Sequence, residues 1–335
     1  MPKKFISIFT PVWNESGNVL GLIARVRETM QSLDDRYDYE YVFSDNASAD
    51  NTLMLLKQSR NLDRRIKVIK LSKNFGVIRS TLNGLFRCSG DAVIQIEGDL
   101  QDPPEMIPEF LRAWESGYKV VYGIRKDRDE FVLMKWTRKL FYRIAAKLAT
   151  DTLIPDVGEF RLMDRRIIEE LKKINDCNPY LRGIIANLGF EQLGIEYKRD
   201  RRRQGKSSMN VFSLFDYGLN GIISHSKVML RLSTITGMVL AVLTFFFAIL
   251  FAILKFTLPD VPRGFTLVLM SIFFFAGIQM IFLGVIGEYI AKIFDQSIRR
   301  PIVVEEELLG FEVDSKNSLG VHAHDHVLGT KEYPA

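Results

Sequence analysis

Cysteine is almost absent from this 335-residue chain: Cys88 and Cys177 are the only two, and they stand far apart. Two distant thiols cannot build a disulfide framework or a zinc cluster, and they suit a reducing compartment. Histidine is scarce as well. Three of the four, His322, His324 and His326, fall in a polar C-terminal stretch. They could hold a metal, but the composition favours a disordered or appended tail. No basic helix is interleaved with aromatics, which argues against a nucleic-acid partner. The N-terminus runs straight into a strand-like stretch, Phe5-Ile6-Ser7-Ile8-Phe9, and no signal peptide is expected.

The chain is rich in apolar residues late in the sequence. Hydrophobic residues make up 47% of the whole, and most of the excess follows Leu232. Leu232–Leu254 and Phe265–Ile286 carry no charge, and each exceeds the roughly 20 residues that cross a bilayer. The short link Lys255–Gly264 contains Pro259 and Pro262. A transmembrane hairpin is therefore expected, with spans at 232–254 and 265–290. Lys227, Arg231, Lys292, Arg299 and Arg300 flank its outer ends, whereas the link holds only Lys255 and Arg263. That bias puts both termini in the cytoplasm. A net charge of +5 and a pI near 9.0 fit an anionic membrane surface or phosphorylated ligands.

Two further stretches, Phe131–Ala149 and Asn210–Leu230, read as amphipathic helices. Each could pack on a core or lie in the membrane interface. The second runs directly into the first span, which favours the interface for it. Downstream of the hairpin, Pro301–Glu305 is a candidate strand that could pair between subunits.

The first 125 residues alternate short apolar runs with amphipathic ones. Strands are expected at Lys4–Pro11, Tyr39–Ser44, Ile66–Leu71, Ala92–Glu97 and Lys119–Gly123. Helices are expected near Glu15–Ser32, Asp50–Ser59, Val77–Cys88 and Pro103–Glu115. This order predicts an α/β fold with a doubly wound, mostly parallel sheet. Such sheets bind ligands at the carboxyl ends of their strands, where Asn14, Glu15, Asp45 and Asp99 all fall.

Glu97-Gly98-Asp99-Leu100-Gln101-Asp102-Pro103-Pro104-Glu105 joins an apolar strand to a helix through an acidic turn. Asp102 is expected to cap that helix, with Pro103 at its first position and Glu105 closing a capping box. Glu97 and Asp99 offer the oxygen donors that hard cations share with substrate phosphates, and a metal there would neutralise a leaving diphosphate. Pro11-Val12-Trp13-Asn14-Glu15 and Asp45-Asn46-Ala47-Ser48-Ala49-Asp50-Asn51-Thr52 could bind a nucleoside, or could be turn and cap residues, a reading that applies fully to Asp50. Leu71–Gly76, with Asn74 and Gly76, would lie beside the same crevice.

Arg199–Ser208 is a basic loop whose Arg201, Arg203, Lys206 and Ser207 could clamp phosphates or sit as a solvated face or headgroup anchor. Arg125 and Arg161 are further phosphate candidates. In Asp156-Val157-Gly158-Glu159-Phe160-Arg161, Asp156 or Glu159 could orient or deprotonate an acceptor. A phosphate monoester, with a second pKa near 6, would already be largely dianionic, so positioning would matter more than proton removal.

Taken together, Pro11–Glu15, Asp45–Thr52, Leu71–Gly76, Asp99–Glu105, Val157–Met163, Arg203–Ser207 and the hairpin resemble glycosyltransferase family 2. Within it they resemble the GtrB-like polyisoprenyl-phosphate glycosyltransferases, relatives of the dolichol-phosphate mannose synthases. The resemblance covers nearly the whole chain in the family's order. It implies a GT-A fold, a Mg²⁺ or Mn²⁺ ion and inverting transfer of one sugar to a polyprenyl phosphate. For bacterial members of this branch it implies UDP-glucose, undecaprenyl phosphate, the plasma membrane and a homotetramer.

Carried across, Asp45 is similar to a base- or ribose-binding carboxylate and Asp99 to the metal ligand, with Gln101 beside the diphosphate. Arg203 and Lys206 are similar to phosphate contacts. The implied organisation is a catalytic domain at 1–209, an interface helix at 210–231, the hairpin at 232–294 and a C-terminal extension at 295–335. Two positions depart from the pattern: Glu97 and Glu159 stand where the family usually has Asp. They motivate the alternative of a catalytically weakened nucleotide-sugar-binding scaffold; another alternative is the same chemistry with GDP-mannose or a different UDP-sugar. A processive polysaccharide synthase would want more spans and a Gln-x-x-Arg-Trp motif, which the sequence lacks.

Overall fold

The computed structural model describes residues 2–126, 157–174, 181–198, 228–257, 264–297 and 301–311. Among these, β1 (Lys4–Val12), α1 (Val19–Gln31), β2 (Tyr37–Asp45), α2 (Thr52–Leu62), β3 (Ile66–Leu71), α3 (Val77–Arg87) and β4 (Ala92–Gln95) alternate as the sequence predicts. A single 3₁₀ turn, Pro104–Met106, then leads into α4 (Ile107–Glu115). β5 (Val120–Lys126), β6 (Val157–Asp164), α5 (Arg165–Lys172), α6 (Leu181–Asn187) and β7 (Gln192–Lys198) follow. Two long helices, α7 (Val228–Thr257) and α8 (Phe265–Ser297), precede a last strand, β8 (Glu305–Leu309).

The sheet runs β7-β5-β6-β4-β1-β2-β3-β8. Its centre, β3-β2-β1-β4, is parallel, while β6 is antiparallel to both its neighbours and β8 is antiparallel to β3. Central strands covered on both faces should be apolar without alternation, and Ile6 to Thr10 are all fully buried. Ile6 and Ile8 face one core, with Leu22, Val26, Phe43 and Phe110. Phe9 faces the other, with Leu82, Leu85, Ile167 and Leu171. A Cβ on Gly84 would lie 2.0 Å from the Phe9 ring, so only glycine lets α3 close over that strand. Truncating Phe9 to Ala would cost about 3–5 kcal/mol by emptying that contact.

Several boundaries differ from the sequence reading. α1 begins at Val19 rather than Glu15, because Glu15 to Asn18 form a turn closed by the Asn18 and Val19 N–H groups on the Glu15 carbonyl. The Asp102 capping box does not form. Glu105 is instead forked by Arg25, at 2.9 and 2.7 Å, and the 3₁₀ turn has no side-chain cap. The last strand lies at Glu305–Leu309 rather than 301–305, and it pairs within the chain, on β3, rather than between subunits. The candidate helix at 131–149 lies outside the described residues, as do 210–227; the end of the second candidate is continuous with α7.

Both long helices expose large apolar side chains, among them Phe245, Phe246, Ile272, Phe274, Met280 and Ile281. Among the described residues one helix is long and apolar enough to cross a membrane, through Phe274–Ala291 of α8. The apolar stretch of α7 is shorter, Ser233–Phe247.

Candidate active site

The chain order places a crevice between β1 and β4. From β1 the chain winds outward through β2 to β3, then crosses back by α3 to β4 on the other side of β1. Ligands of doubly wound sheets bind outside the carboxyl ends at such a reversal. The β1 loop and the acidic turn after β4 meet there. A Cβ on Gly98 would stand 3.3 Å from Val12 Cγ1, 3.4 Å from the Pro11 carbonyl oxygen and 3.5 Å from Glu15 Cγ. The acidic turn thus packs closely on the β1 loop at Gly98.

Three loops around the crevice each hold one non-glycine residue in the left-handed region: Asn14 (φ 55°), Ala47 (φ 56°) and Leu100 (φ 59°). Asn tolerates this conformation, whereas Ala and Leu pay about 1–2 kcal/mol for it. Strain of this kind persists only where surroundings over-determine it, and it clusters at functional sites. Here the surroundings are a hydrogen-bond web. Ser48 Oγ donates to Asp45 Oδ1 at 2.5 Å and accepts the Asn14 N–H at 2.9 Å, while Asn14 Oδ1 accepts the Ala49 N–H at 2.8 Å. Asn46 Nδ2 donates to Asn74 Oδ1 at 2.8 Å, and Asn46 Oδ1 accepts the Phe75 N–H at 2.9 Å. Asn74 Oδ1 also takes the Gly76 N–H at 2.9 Å, at a glycine with φ 86°.

Pro11, Asn14, Glu15, Asp45, Asn74 and Gly76 are therefore brought to one rim. Asp45 is fully buried. That burial raises its carboxyl above the ordinary aspartate range, against the hydrogen bonds from Ser48. Asp50 is a turn residue as expected: it accepts from Thr52 N–H, Thr52 Oγ1 and the Ser16 N–H at 3.0, 2.5 and 3.1 Å.

Across the crevice lies a row of charges. Arg125, on β5, stands 3.4 Å from Glu97. Glu159, on β6, accepts from Arg161 and, at 2.7 Å, from Arg182 of α6. Burial works to raise the Glu159 carboxyl. The guanidinium groups of Arg161, Arg182 and Arg125 outweigh it and hold the group below the usual glutamate range. Glu159 is thus an ionised anchor for arginines and a poor proton acceptor. Arg161 is 3% exposed and pairs with Glu159. Asp99 Oδ1 accepts the Gln101 N–H at 3.1 Å, which closes the acidic turn.

Tyr197 and Arg182 escaped the sequence reading, and Asp102 was assigned a cap. Tyr197 comes from β7, a strand the apolar pattern did not reveal, and its hydroxyl donates to the fully buried Asp102 at 2.5 Å. Two glycines make room for this network: a Cβ on Gly158 would lie 2.9 Å from Arg125 nitrogens, and one on Gly123 2.6 Å from the Tyr197 ring, but neither glycine signals it in the sequence. Asp156, Arg201, Arg203, Lys206 and Ser207 lie outside the described residues.

The donor chemistry suits a hard divalent ion. Mg²⁺ commonly takes one or two carboxylates and completes its shell with substrate phosphates and water. Glu97 and Asp99 are two carboxylates on one turn, the kind of donors such an ion takes, and no group of three or more His, Cys, Asp or Glu side chains able to hold a metal occurs among the described residues.

The family model for glycosyl transferase family 2 matches residues 7–172. The chain is 35% identical over 297 residues to the bactoprenol glucosyl transferase of Shigella phage SfV, covering 88% of this chain and 96% of that one. It is 34% identical over 309 residues to an uncharacterized glycosyltransferase of Synechocystis, covering 92% and 96%. Among solved structures it is similar to the glucosyl-3-phosphoglycerate synthase of Mycobacterium tuberculosis, with a TM-score of 0.45, 18% identity and coverage of 66% and 79%. The chain belongs to glycosyl transferase family 2. It is a glycosyltransferase, and its α/β sheet is mixed and mostly parallel.

Proposed function

We propose that this enzyme transfers a single glucose from UDP-glucose, with inversion, to a polyprenyl phosphate such as undecaprenyl phosphate. The reaction takes place at the cytoplasmic face of a bacterial plasma membrane. The observation that carries the reading is identity across catalytic sheet and long helices alike to relatives named bactoprenol glucosyl transferases.

In this reading Pro11, Asn14, Glu15, Asp45, Asn74 and Gly76 hold the nucleoside, and Gln101 lies beside the diphosphate. Glu97 and Asp99 hold Mg²⁺ or Mn²⁺, which when bound offsets the charge of the leaving diphosphate. Arg125, Arg161, Arg201, Arg203, Lys206 and Ser207 meet the phosphates. Glu159 fixes Arg161 and Arg182, and Asp156 orients the acceptor. The acceptor phosphate oxygen bonds to the anomeric carbon as the bond to the UDP oxygen breaks. A phosphate monoester is largely dianionic at neutral pH, so no base is needed, and Glu159 is suited to holding charge rather than taking a proton. The two long helices form a hairpin in the bilayer with both termini cytoplasmic, and the enzyme assembles as a homotetramer.

The test is transfer of radiolabelled glucose from UDP-glucose to undecaprenyl phosphate in detergent, with Mg²⁺ or with EDTA. Label entering the lipid phase only with metal supports donor and mechanism together. Label transferred from GDP-mannose but not UDP-glucose would reject the donor, and no transfer from any donor would reject the activity.

A further inference from the structure

The Arg125 side chain occupies a slot that two glycines keep open. Its Nη2 stands 3.4 Å from Glu97 Oε1 and its Nε 3.4 Å from Tyr197 Oη. Tyr197 is itself fixed, through its hydrogen bond to Asp102 at 2.5 Å and an edge-on contact with Phe160 at 5.8 Å. A Cβ on Gly158 would fall 2.9 Å from the guanidinium nitrogens, and one on Gly123 would fall 2.6 Å from the Tyr197 ring. The Arg125 side chain is 11% exposed and that of Glu97 29%. A cation therefore already stands on one of the two carboxylates assigned to the metal, steadied from behind by a tyrosine.

A guanidinium and a divalent ion within about 4 Å of one oxygen repel each other strongly in a partly buried site. We propose that Arg125 and the metal are alternative partners of Glu97. Arg125 neutralises the carboxylate while no metal is bound, and the donor's diphosphate draws it off, so metal and nucleotide load together rather than metal first. Tyr197 is the positioning residue that keeps Arg125 within reach of both. The inference rests on the assignment of Glu97 and Asp99 to the metal.

The experiment is Mn²⁺ binding to the full chain in detergent, read by the electron paramagnetic resonance of the free ion, with and without UDP. Without UDP, Arg125→Gln should bind Mn²⁺ roughly twofold to fivefold tighter than wild type, the worth of a partly exposed ion pair. It should also lose much of the tightening that UDP brings to wild type. Tyr197→Phe keeps the charge but removes one anchor, so it should move in the same direction by a smaller factor. It carries the test alone if Arg125→Gln does not fold, as judged by circular dichroism.

Asp99→Asn separates the two layers of the argument. If it binds Mn²⁺ as wild type does, the metal assignment fails and the proposal with it. If it abolishes binding while Arg125→Gln and Tyr197→Phe bind Mn²⁺ alone no tighter than wild type, the assignment stands and the proposal is overturned.

Discussion

Tyr197, on the outermost strand β7, donates its hydroxyl to Asp102 in the acidic turn at 2.5 Å. The bond joins the edge of the sheet to its centre, because β5 and β6 lie between β7 and β4. Tyr197→Phe would leave a fully buried carboxylate with one donor fewer, at a cost of about 1–3 kcal/mol. The expected result is a lower thermal transition with an unchanged far-ultraviolet spectrum. An unshifted transition would show that the bond contributes nothing net.

The resemblance drawn from the sequence leads one to expect Asp at position 159, and the Glu159 found there suggests a weakened site. In the structure Glu159 is held by two arginines. The Glu159 carboxylate reaches Arg161 along its own strand and Arg182 on α6, at 2.7 Å, and a side chain one methylene shorter would have to give up part of that reach. Glu159→Asp should therefore lower kcat, by tenfold or more on the roughly ångström-level tolerance of such sites. A rise in kcat would show that the site is not built around glutamate.

The sequence made the crevice legible because its parts are local. Asn14, Asp45, Asn74 and Asp99 each follow their own apolar run, and strand-end position is enough to gather them. The charge row was half legible: Arg125, Glu159 and Arg161 carry their chemistry in their type. Their pairing with Arg182, Tyr197 and Asp102 is set by β6 running antiparallel between β4 and β5, which no local period encodes. Asp102 misled because Asp-Pro-Pro is a good cap sequence and local chemistry cannot see a hydroxyl arriving from 95 residues away. β8 misled because its Glu-rich strand is not apolar; its partners are cations on α2, β3 and α3.

Acid should unfold the catalytic sheet through its paired glutamates. Glu40 is buried, and the cost of that burial is outweighed by Lys67 at 2.6 Å and by hydrogen bonds from Ser7 and Ser89, so its carboxyl lies below the ordinary value of 4.5. Glu159 is depressed as well. A carboxyl depressed by folding contributes stability that is complete above its unfolded value and is lost as pH falls through its folded one. Asp45 has the opposite sign. Its raised value means its contribution is largest below 3.8 and is lost as pH rises through the folded value. The thermal transition of wild type should thus be flat near neutrality and fall below about pH 4.5, where glutamates begin to protonate. Glu40→Gln should cost roughly 3 kcal/mol at pH 7, the scale for breaking a buried pair, and should converge on wild type in acid. A constant gap at all pH values would show that Glu40 acts by packing rather than by charge.

The last strand offers a contrast between charge and backbone. Glu305 is forked by Arg87 at 2.9 and 2.5 Å and accepts from Asn83 at 2.8 Å, while Glu306 pairs with Lys70 at 2.5 Å and Glu307 with Lys57 at 2.6 Å. These pairs are partly exposed, and such pairs contribute at most about 1 kcal/mol each. The backbone does more. β8 covers the edge of β3, the Val304 carbonyl accepts the Ser72 N–H at 3.0 Å, and Ile302, Val303 and Phe311 pack against the core. Ser72 begins the loop that carries Asn74 and Gly76 to the crevice. Neutralising the three glutamates together should therefore lower the thermal transition modestly and leave UDP affinity unchanged. Ending the chain at residue 300 should lower the transition much further, weaken UDP binding and promote association through the uncovered edge of β3. Calorimetric titration with UDP and light scattering read both effects. If the two variants behave alike, the strand is held by its charges and the donor loop does not depend on its backbone.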